Sequence, residues 1–156
     1  MRNSKLCLLD PLAGIWRTEG KKFNGDIFCG TDSYEWMDGG FFMIHHADIL
    51  FGNERVQSVE IILYDELDDV FRSQSYDNQG EISISTLTID RQYISILSDQ
   101  VRFAGRLSEN TIKGIWEKFD GQSWEKWMNI ELNKSAHAVQ EFNKITAGNR
   151  PITTQQ

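Results

Sequence analysis

The sequence predicts an all-β protein, a closed antiparallel up-and-down β-barrel of about ten strands with a C-terminal helix packed outside. Short segments of β-prone residues follow one another with turn residues between them, leaving no room for helical crossovers, so the strands should pair antiparallel. Both prolines, Pro11 and Pro151, lie outside this run, as expected of a sheet without edge strands. Gly14 and Trp16 begin the first strand, where the indole can plug the barrel floor. A β-sandwich is the alternative, but the long crossing loop it usually needs is not evident.

The elements follow one another along the chain without a long loop. Residues 3–12 predict one or two helical turns that lead into the barrel, and Pro11 sets an extended entry. Segment 41–51 is the longest strand candidate, with β-prone residues throughout. In chain order, the predicted strands are 15–23, 33–37, 41–51, 56–64, 70–76, 81–89, 91–97, 101–107, 111–119 and 124–132.

The hydrophobic period changes after the last strand. Apolar residues recur every three positions over 135–147 and would form one stripe along a helix. They are Ala136, Val139, Phe142 and Ile145. We therefore divide the chain into a barrel domain, 1–133, and a C-terminal helix with a polar tail, 134–156. The helix is expected to pack on the outside of the barrel, and a homodimer contact is its alternative role.

Composition and cysteine content limit the partners and the compartment. The chain carries 16 basic and 23 acidic residues, a net charge of −7, which argues against nucleic acid or an anionic membrane as a partner. Cys7 and Cys29 are the only cysteines, too few for a disulfide framework. The apolar run 6–9 is too short for a signal peptide, and no window approaches a membrane span. A cytoplasmic, reduced protein is expected.

Several short motifs occur together in a distinctive order. They are Gly14-x-Trp16, Tyr34-Glu35-x-x-x-Gly39-Gly40-x-Phe42, Ser58-Val59-Glu60-Ile61-Ile62-x-Tyr64-Asp65, Tyr76-Asp77-x-x-Gly80, Arg102-Phe103-x-Gly105 and Gly114-x-Trp116-Glu117-x-x-x-Asp120-Gly121-x-x-Trp124. Over roughly residues 12–132 the chain resembles the bacterial lipocalin-like (calycin-type) domains of unknown function. The resemblance implies an up-and-down barrel with an internal cavity and no established activity. The sequence departs from the family pattern at Ile62-Leu63, where a glycine is common, and in its additional C-terminal helix.

A candidate interior histidine lies on the longest predicted strand. Successive strand residues face opposite sides, and the face that carries His45 is the more uniformly apolar one. His45 is therefore expected inside the barrel, either contacting a ligand or as a satisfied core histidine. A register slip of one residue would place His46 there instead.

Glu60 is the most informative polar residue because it interrupts the apolar run 59–63. A carboxylate there is costly unless it is paired or solvated, and Arg102 and His45 are its candidate partners. In a low-dielectric pocket its pKa would rise, and it could act as a general acid or base. The alternative is a Glu60 that faces solvent. Arg102 has a second possible role, stacking on Trp16 or Trp116 at a barrel end.

The remaining candidates for the cavity wall are aromatic residues and a methionine, with ordinary core packing as their alternative role. They are Tyr34, Trp36, Phe41, Met43, Tyr64 and Trp116. No nucleophile, phosphate or dinucleotide motif is present, so no cofactor is expected. No metal site is expected either, since His45 and His46 face opposite ways and no Cys-x-x-Cys occurs.

Four functions remain open. The first is a barrel that binds a small, mostly apolar molecule oriented by His45, Glu60 and Arg102. The second is an isomerase, cyclase or hydrolase in which Glu60 and His45 form an acid–base pair. The third is haem binding through one histidine; the haem barrels that this chain resembles begin with Gly-x-Trp-x-Gly-x-Gly, which residues 18–21 match only in part. The fourth is an interaction module with a barrel filled by its own side chains.

Overall fold

A computed structural model describes residues 1–135 and shows ten antiparallel strands closed into one barrel. The strands are β1 (Gly14–Lys22), β2 (Ile27–Trp36), β3 (Met43–Phe51), β4 (Glu54–Asp65), β5 (Val70–Asp77), β6 (Ile82–Asp90), β7 (Tyr93–Leu97), β8 (Val101–Ser108), β9 (Thr111–Phe119) and β10 (Trp124–Lys134). Each strand pairs with its neighbours in sequence, and β1 pairs with β10. The predicted all-β, up-and-down barrel of about ten strands is confirmed. The predicted helix at 135–147 and the polar tail lie outside the described residues, except for Ser135.

The main differences from the predicted strands occur in β2, β3 and β4. β2 begins at Ile27, well before the predicted 33–37 segment. β3 begins at Met43 because Gly39 and Gly40 have φ of 96° and 72° and form a turn. That turn leaves Phe41 and Phe42 exposed outside the strand. The longest strand is β4, with 12 residues, and not the segment from 41 to 51.

One end of the barrel is closed by the N-terminal 3-10 helix, Ser4–Leu12. Its three buried residues are Leu6, Leu9 and Leu12. The indole of Trp16 is fully buried against this helix, and its Nε1 donates a hydrogen bond of 2.8 Å to the Leu12 carbonyl. Lys134 Nζ lies 4.9 Å from the centroid of the Trp16 ring. The predicted tryptophan plug and the predicted N-terminal helical turns are both confirmed, but Pro11 lies inside the helix and does not set an extended entry.

Glycines make room for an aromatic side chain inside the barrel. Gly105 and Gly114 are cross-strand partners in β8 and β9. A Cβ at either position would come within 2.4 Å of the Phe103 ring. Because Gly105 and Gly114 have no side chains, the Phe103 ring can pack against the barrel wall at these two positions and line the interior.

Two further expectations concern membrane-spanning helices and the two cysteines. Within residues 1–135, no helix has the length and apolar character needed to cross a bilayer. Cys7 and Cys29 are both exposed and free. The structure therefore contains no disulfide between them.

Candidate functional site

The barrel interior keeps an unfilled cavity of about 250 Å³. This volume contradicts the interaction-module hypothesis, which required an interior filled by side chains. A larger depression, about 680 Å³, lies on the outer face of the sheet around His46 and Tyr76. The internal cavity is the better candidate site, because buried polar groups converge on it.

One wall of the cavity is a polar row across five strands, β2 to β6. Its members occupy directly paired positions and therefore share the inner face of the sheet. They are Tyr34, His45, Glu60, Ser75 and Ser83. Ser73 and Ser85 form the adjacent pair towards the closed end, and Ser58 also lines the cavity. This polar row gives the cavity a continuous hydrogen-bonding edge.

The opposite wall is an apolar row across β6 to β9. Cross-strand pairing again aligns its members, which are Leu87, Ile96, Phe103 and Trp116. The Phe103 and Trp116 rings pack with their centroids 5.1 Å apart. The cavity is consequently amphipathic, with hydroxyls, carboxylates and an imidazole on one side and aromatic and aliphatic carbon on the other.

His45 lies between two carboxylates. Its Nδ1 is 2.9 Å from Glu60 Oε1, and its Nε2 is 2.6 Å from Asp32 Oδ1. The second oxygen of Asp32 accepts a hydrogen bond from the buried Thr18 hydroxyl. Asp32 is therefore satisfied by protein groups on both oxygens, whereas the Glu60 side chain keeps 22% of its surface exposed. Glu60 is the carboxylate better placed to contact a molecule in the cavity.

Tyr34 stacks on the imidazole of His45. The ring centroids are 4.1 Å apart and the planes differ by 2°. Burial, together with the negative charges of Asp32 and Glu60, raises the pKa of the Tyr34 phenol well above its usual value. The phenol is therefore neutral at physiological pH and keeps its O–H.

The charges of His45 and Glu60 are fixed by their contact. Burial lowers the pKa of His45, but the hydrogen bonds and charges of Asp32 and Glu60 outweigh it and raise the pKa to about 10. Burial raises the pKa of Glu60, yet the hydrogen bond and positive charge of His45, together with a hydrogen bond from Ser73, outweigh it, so the net direction is downward. In a low-dielectric pocket, the pKa of Glu60 was expected to rise. That direction is wrong, because the imidazolium lies against the carboxylate.

Four of the eight predicted site residues line the cavity, and four do not. Those that line it are Tyr34, His45, Glu60 and Trp116. The predicted pairing of Glu60 with His45 is present, and His45 rather than His46 faces inward. The register that the sequence left open is thereby resolved.

The other predicted residues lie elsewhere. Met43 is fully buried in the core near the floor. The indole Nε1–H of Trp36 donates a hydrogen bond to Asp10 Oδ1, with the two atoms 3.0 Å apart. The Tyr64 hydroxyl donates to Asp69.

Arg102 does not reach Glu60. It alternates with Val101 and Phe103, which line the cavity, and so it projects from the opposite face. There its Nη2 donates to Glu117 Oε2, at 2.9 Å, and its guanidinium lies 4.6 Å from the Trp124 ring centroid. The predicted arginine–tryptophan stacking occurs, but on Trp124 rather than on Trp16 or Trp116.

Sequence reasoning missed Asp32 and the serines. Asp32 lies between Thr31 and Ser33, a polar context that resembles an exposed strand edge. In β6 the usual pattern is inverted, since Ser83 and Ser85 line the cavity while the neighbouring isoleucines, Ile82 and Ile84, are exposed. An alternating Ile/Ser pattern shows the period of a strand without showing which set faces inward.

The donor set does not fit a metal or haem. Among residues 1–135, no group of three potential ligands is arranged to hold a metal ion. A haem iron requires a free ring nitrogen from its histidine ligand, and both nitrogens of His45 are engaged by carboxylates. The haem alternative is therefore not supported by these residues.

Comparisons with known proteins show the fold. No protein-family model matches the chain, and no curated protein matches it in sequence. The crystal structure of Rv2717c from M. tuberculosis is similar, with a TM-score of 0.63 and 10% identity over 86% of this chain and 99% of that one. The structure of EF1p2_mFAP2b bound to DFHBI is also similar, with a TM-score of 0.50 and 11% identity over 85% of this chain and 100% of that one. At such identities the likeness concerns the barrel fold alone.

Proposed function

We propose that this protein binds a small, mostly apolar molecule inside its barrel, with the polar row holding one end of the ligand. The observation that carries the proposal is the internal cavity of about 250 Å³ with one polar and one apolar wall. A cavity lined mainly by carbon with a few converging polar groups is the usual form of a small-molecule site. The proposal includes membership of the bacterial lipocalin-like barrels and a cytoplasmic location. It also leaves open a homodimer formed through residues 135–147.

Glu60 and His45 are better suited to orienting a ligand than to exchanging protons with it. Efficient general acid–base catalysis requires a pKa near the working pH. Here the pKa of His45 is raised to about 10 and that of Glu60 is lowered, so each pKa is moved away from neutrality. The isomerase, cyclase or hydrolase hypothesis remains the second candidate because the two groups are only 2.9 Å apart in a cavity. It predicts a bell-shaped pH–rate profile, which a binding protein would not show.

The test is native mass spectrometry of the freshly purified protein, with chemical analysis of what it releases on denaturation. Ser75→Phe is the blocking variant, because Ser75 lies directly across from Glu60 and lines the cavity. Gln74→Phe is the matched control, since Gln74 is the adjacent residue and is exposed.

We expect one additional mass on the wild type and on Gln74→Phe, and none on Ser75→Phe. If Ser75→Phe folds and keeps the additional mass, the ligand is not in the cavity. A wild-type protein that carries no added mass and binds none of 2-phenylethylamine, 2-phenylethanol and phenylacetate would contradict the proposal.

A further inference from the structure

The charge of the cavity can be counted from its hydrogen bonds, and it bears on the class of ligand. His45 makes one contact with Asp32 and one with Glu60, and each contact needs a proton between the two atoms. A neutral imidazole supplies one of these protons, and one further proton must sit on the ring or on a carboxylate. In either arrangement the three groups together carry a net charge of −1. This count does not depend on where the proton resides.

No basic side chain balances that charge within the cavity. The ionisable residues lining it are Asp32, Tyr34, His45 and Glu60, and no lysine or arginine among residues 1–135 lines it. Arg102, the nearest candidate in the sequence argument, is held outside by Glu117. A ligand carboxylate would therefore meet a net negative site in a poorly solvated space, without a cationic partner.

The cavity also offers groups that favour a positive charge. The rings of Phe103 and Trp116 line the same space, and aromatic rings attract cations at their faces. Serine hydroxyls and the Glu60 carboxylate accept hydrogen bonds from an ammonium group. Resting on the binding function proposed above, we infer that the ligand is a small apolar amine, bound with its protonated nitrogen at the polar row near Glu60 and its hydrocarbon part against Phe103 and Trp116.

The experiment compares three probes with similar hydrocarbon parts and different charge. They are 2-phenylethylamine as the cation, 2-phenylethanol as the neutral molecule and phenylacetate as the anion. Binding to the full-length protein is followed by titration of amide NMR signals at neutral pH and fixed ionic strength. We expect the amine to bind more tightly than the alcohol and at least about tenfold more tightly than phenylacetate, because opposite and like charges at contact distance differ by more than this even at high effective dielectric.

Two variants test whether the cavity charge is the cause. Glu60→Gln replaces the carboxylate that would contact the ammonium group with a neutral amide and should reduce the preference for the amine over phenylacetate, with the alcohol as the reference ligand. Ser83→Lys adds a positive charge at the exposed end of the polar row and should reduce it in the same direction. Ile84→Lys is the matched control, because Ile84 is the next residue and is 65% exposed. Ser83→Lys keeps the test available if Glu60→Gln does not fold.

The outcomes separate this inference from the function on which it rests. Phenylacetate binding as tightly as the amine, or the amine binding no more tightly than the alcohol, would overturn the amine assignment and leave cavity binding intact. An unchanged preference in Ser83→Lys would also overturn it. If none of the three probes binds, the amine assignment fails, and a wild-type protein that also carries no added mass defeats the binding function as well.

Discussion

Replacing His45 with glutamine removes the imidazolium that joins Asp32 to Glu60, and the resulting loss of stability is expected to depend on pH. The folded protein raises the pKa of His45 from 6.5 to about 10. A group whose pKa is raised on folding contributes stability that is fully present below its unfolded pKa and is lost as the pH rises through its folded pKa. One unit of pKa corresponds to about 1.4 kcal/mol, so the full contribution of His45 is at most about 5 kcal/mol.

The assay is urea denaturation of the wild type and of His45→Gln at about pH 6 and about pH 9.5. The free-energy difference between the two proteins should shrink by as much as about 4 kcal/mol over this interval, because His45 approaches its folded pKa. His46→Gln is the matched control, since His46 is exposed on the outer face. If the free energies of unfolding of the wild type and of His45→Gln differ by the same amount at both pH values, to within about 0.5 kcal/mol, an imidazolium shared by two carboxylates is refuted.

Further expectations concern the floor, the apolar wall and the support of the polar row. Trp16→Ala should lower the free energy of unfolding in urea by about 3–5 kcal/mol, because it empties the floor of the barrel; a loss below 1 kcal/mol would show that the plug is dispensable. Gly114→Ala should cost about 1–3 kcal/mol and weaken 2-phenylethanol binding, because a Cβ there would come within 2.4 Å of the Phe103 ring and 2.5 Å of the Ala104 carbonyl oxygen and displace the ring that lines the cavity; unchanged affinity would contradict that geometry. Thr18→Val should cost about 1–3 kcal/mol by leaving an Asp32 oxygen without its donor, and equal stability in the same assay would mean that another group replaces the hydroxyl.

The barrel was predictable because it depends on local signals that the chain repeats. Turn residues separate the strands, and no proline occurs between the start of β1 and the end of β10, so the strand count and closure follow from short-range patterns. Trp16 was identifiable as the plug from its place beside Gly14 at the start of the first strand. The early start of β2 was missed. The start of β3 was missed as well, because the conformation of Gly39 and Gly40 decides where that strand begins.

The site was predictable only where one face of a strand was clearly more apolar. That criterion placed His45 inside, and its pairing with Glu60 followed from the cost of an unpaired carboxylate. It failed for Arg102, whose direction depends on the register of β8. It also failed for Asp32, which is buried where it accepts a hydrogen bond from Thr18 on the neighbouring strand β1. Such cross-strand relationships join residues far apart in sequence, and residue order alone does not contain them.

The most direct test of cavity binding is an isotope-filtered NOE spectrum of the labelled protein with bound 2-phenylethylamine. Binding inside the barrel predicts NOEs from the phenyl protons to the rings of Phe103 and Trp116. NOEs to His46 and Tyr76 instead would place the ligand in the depression on the outer face of the sheet and contradict binding inside the barrel.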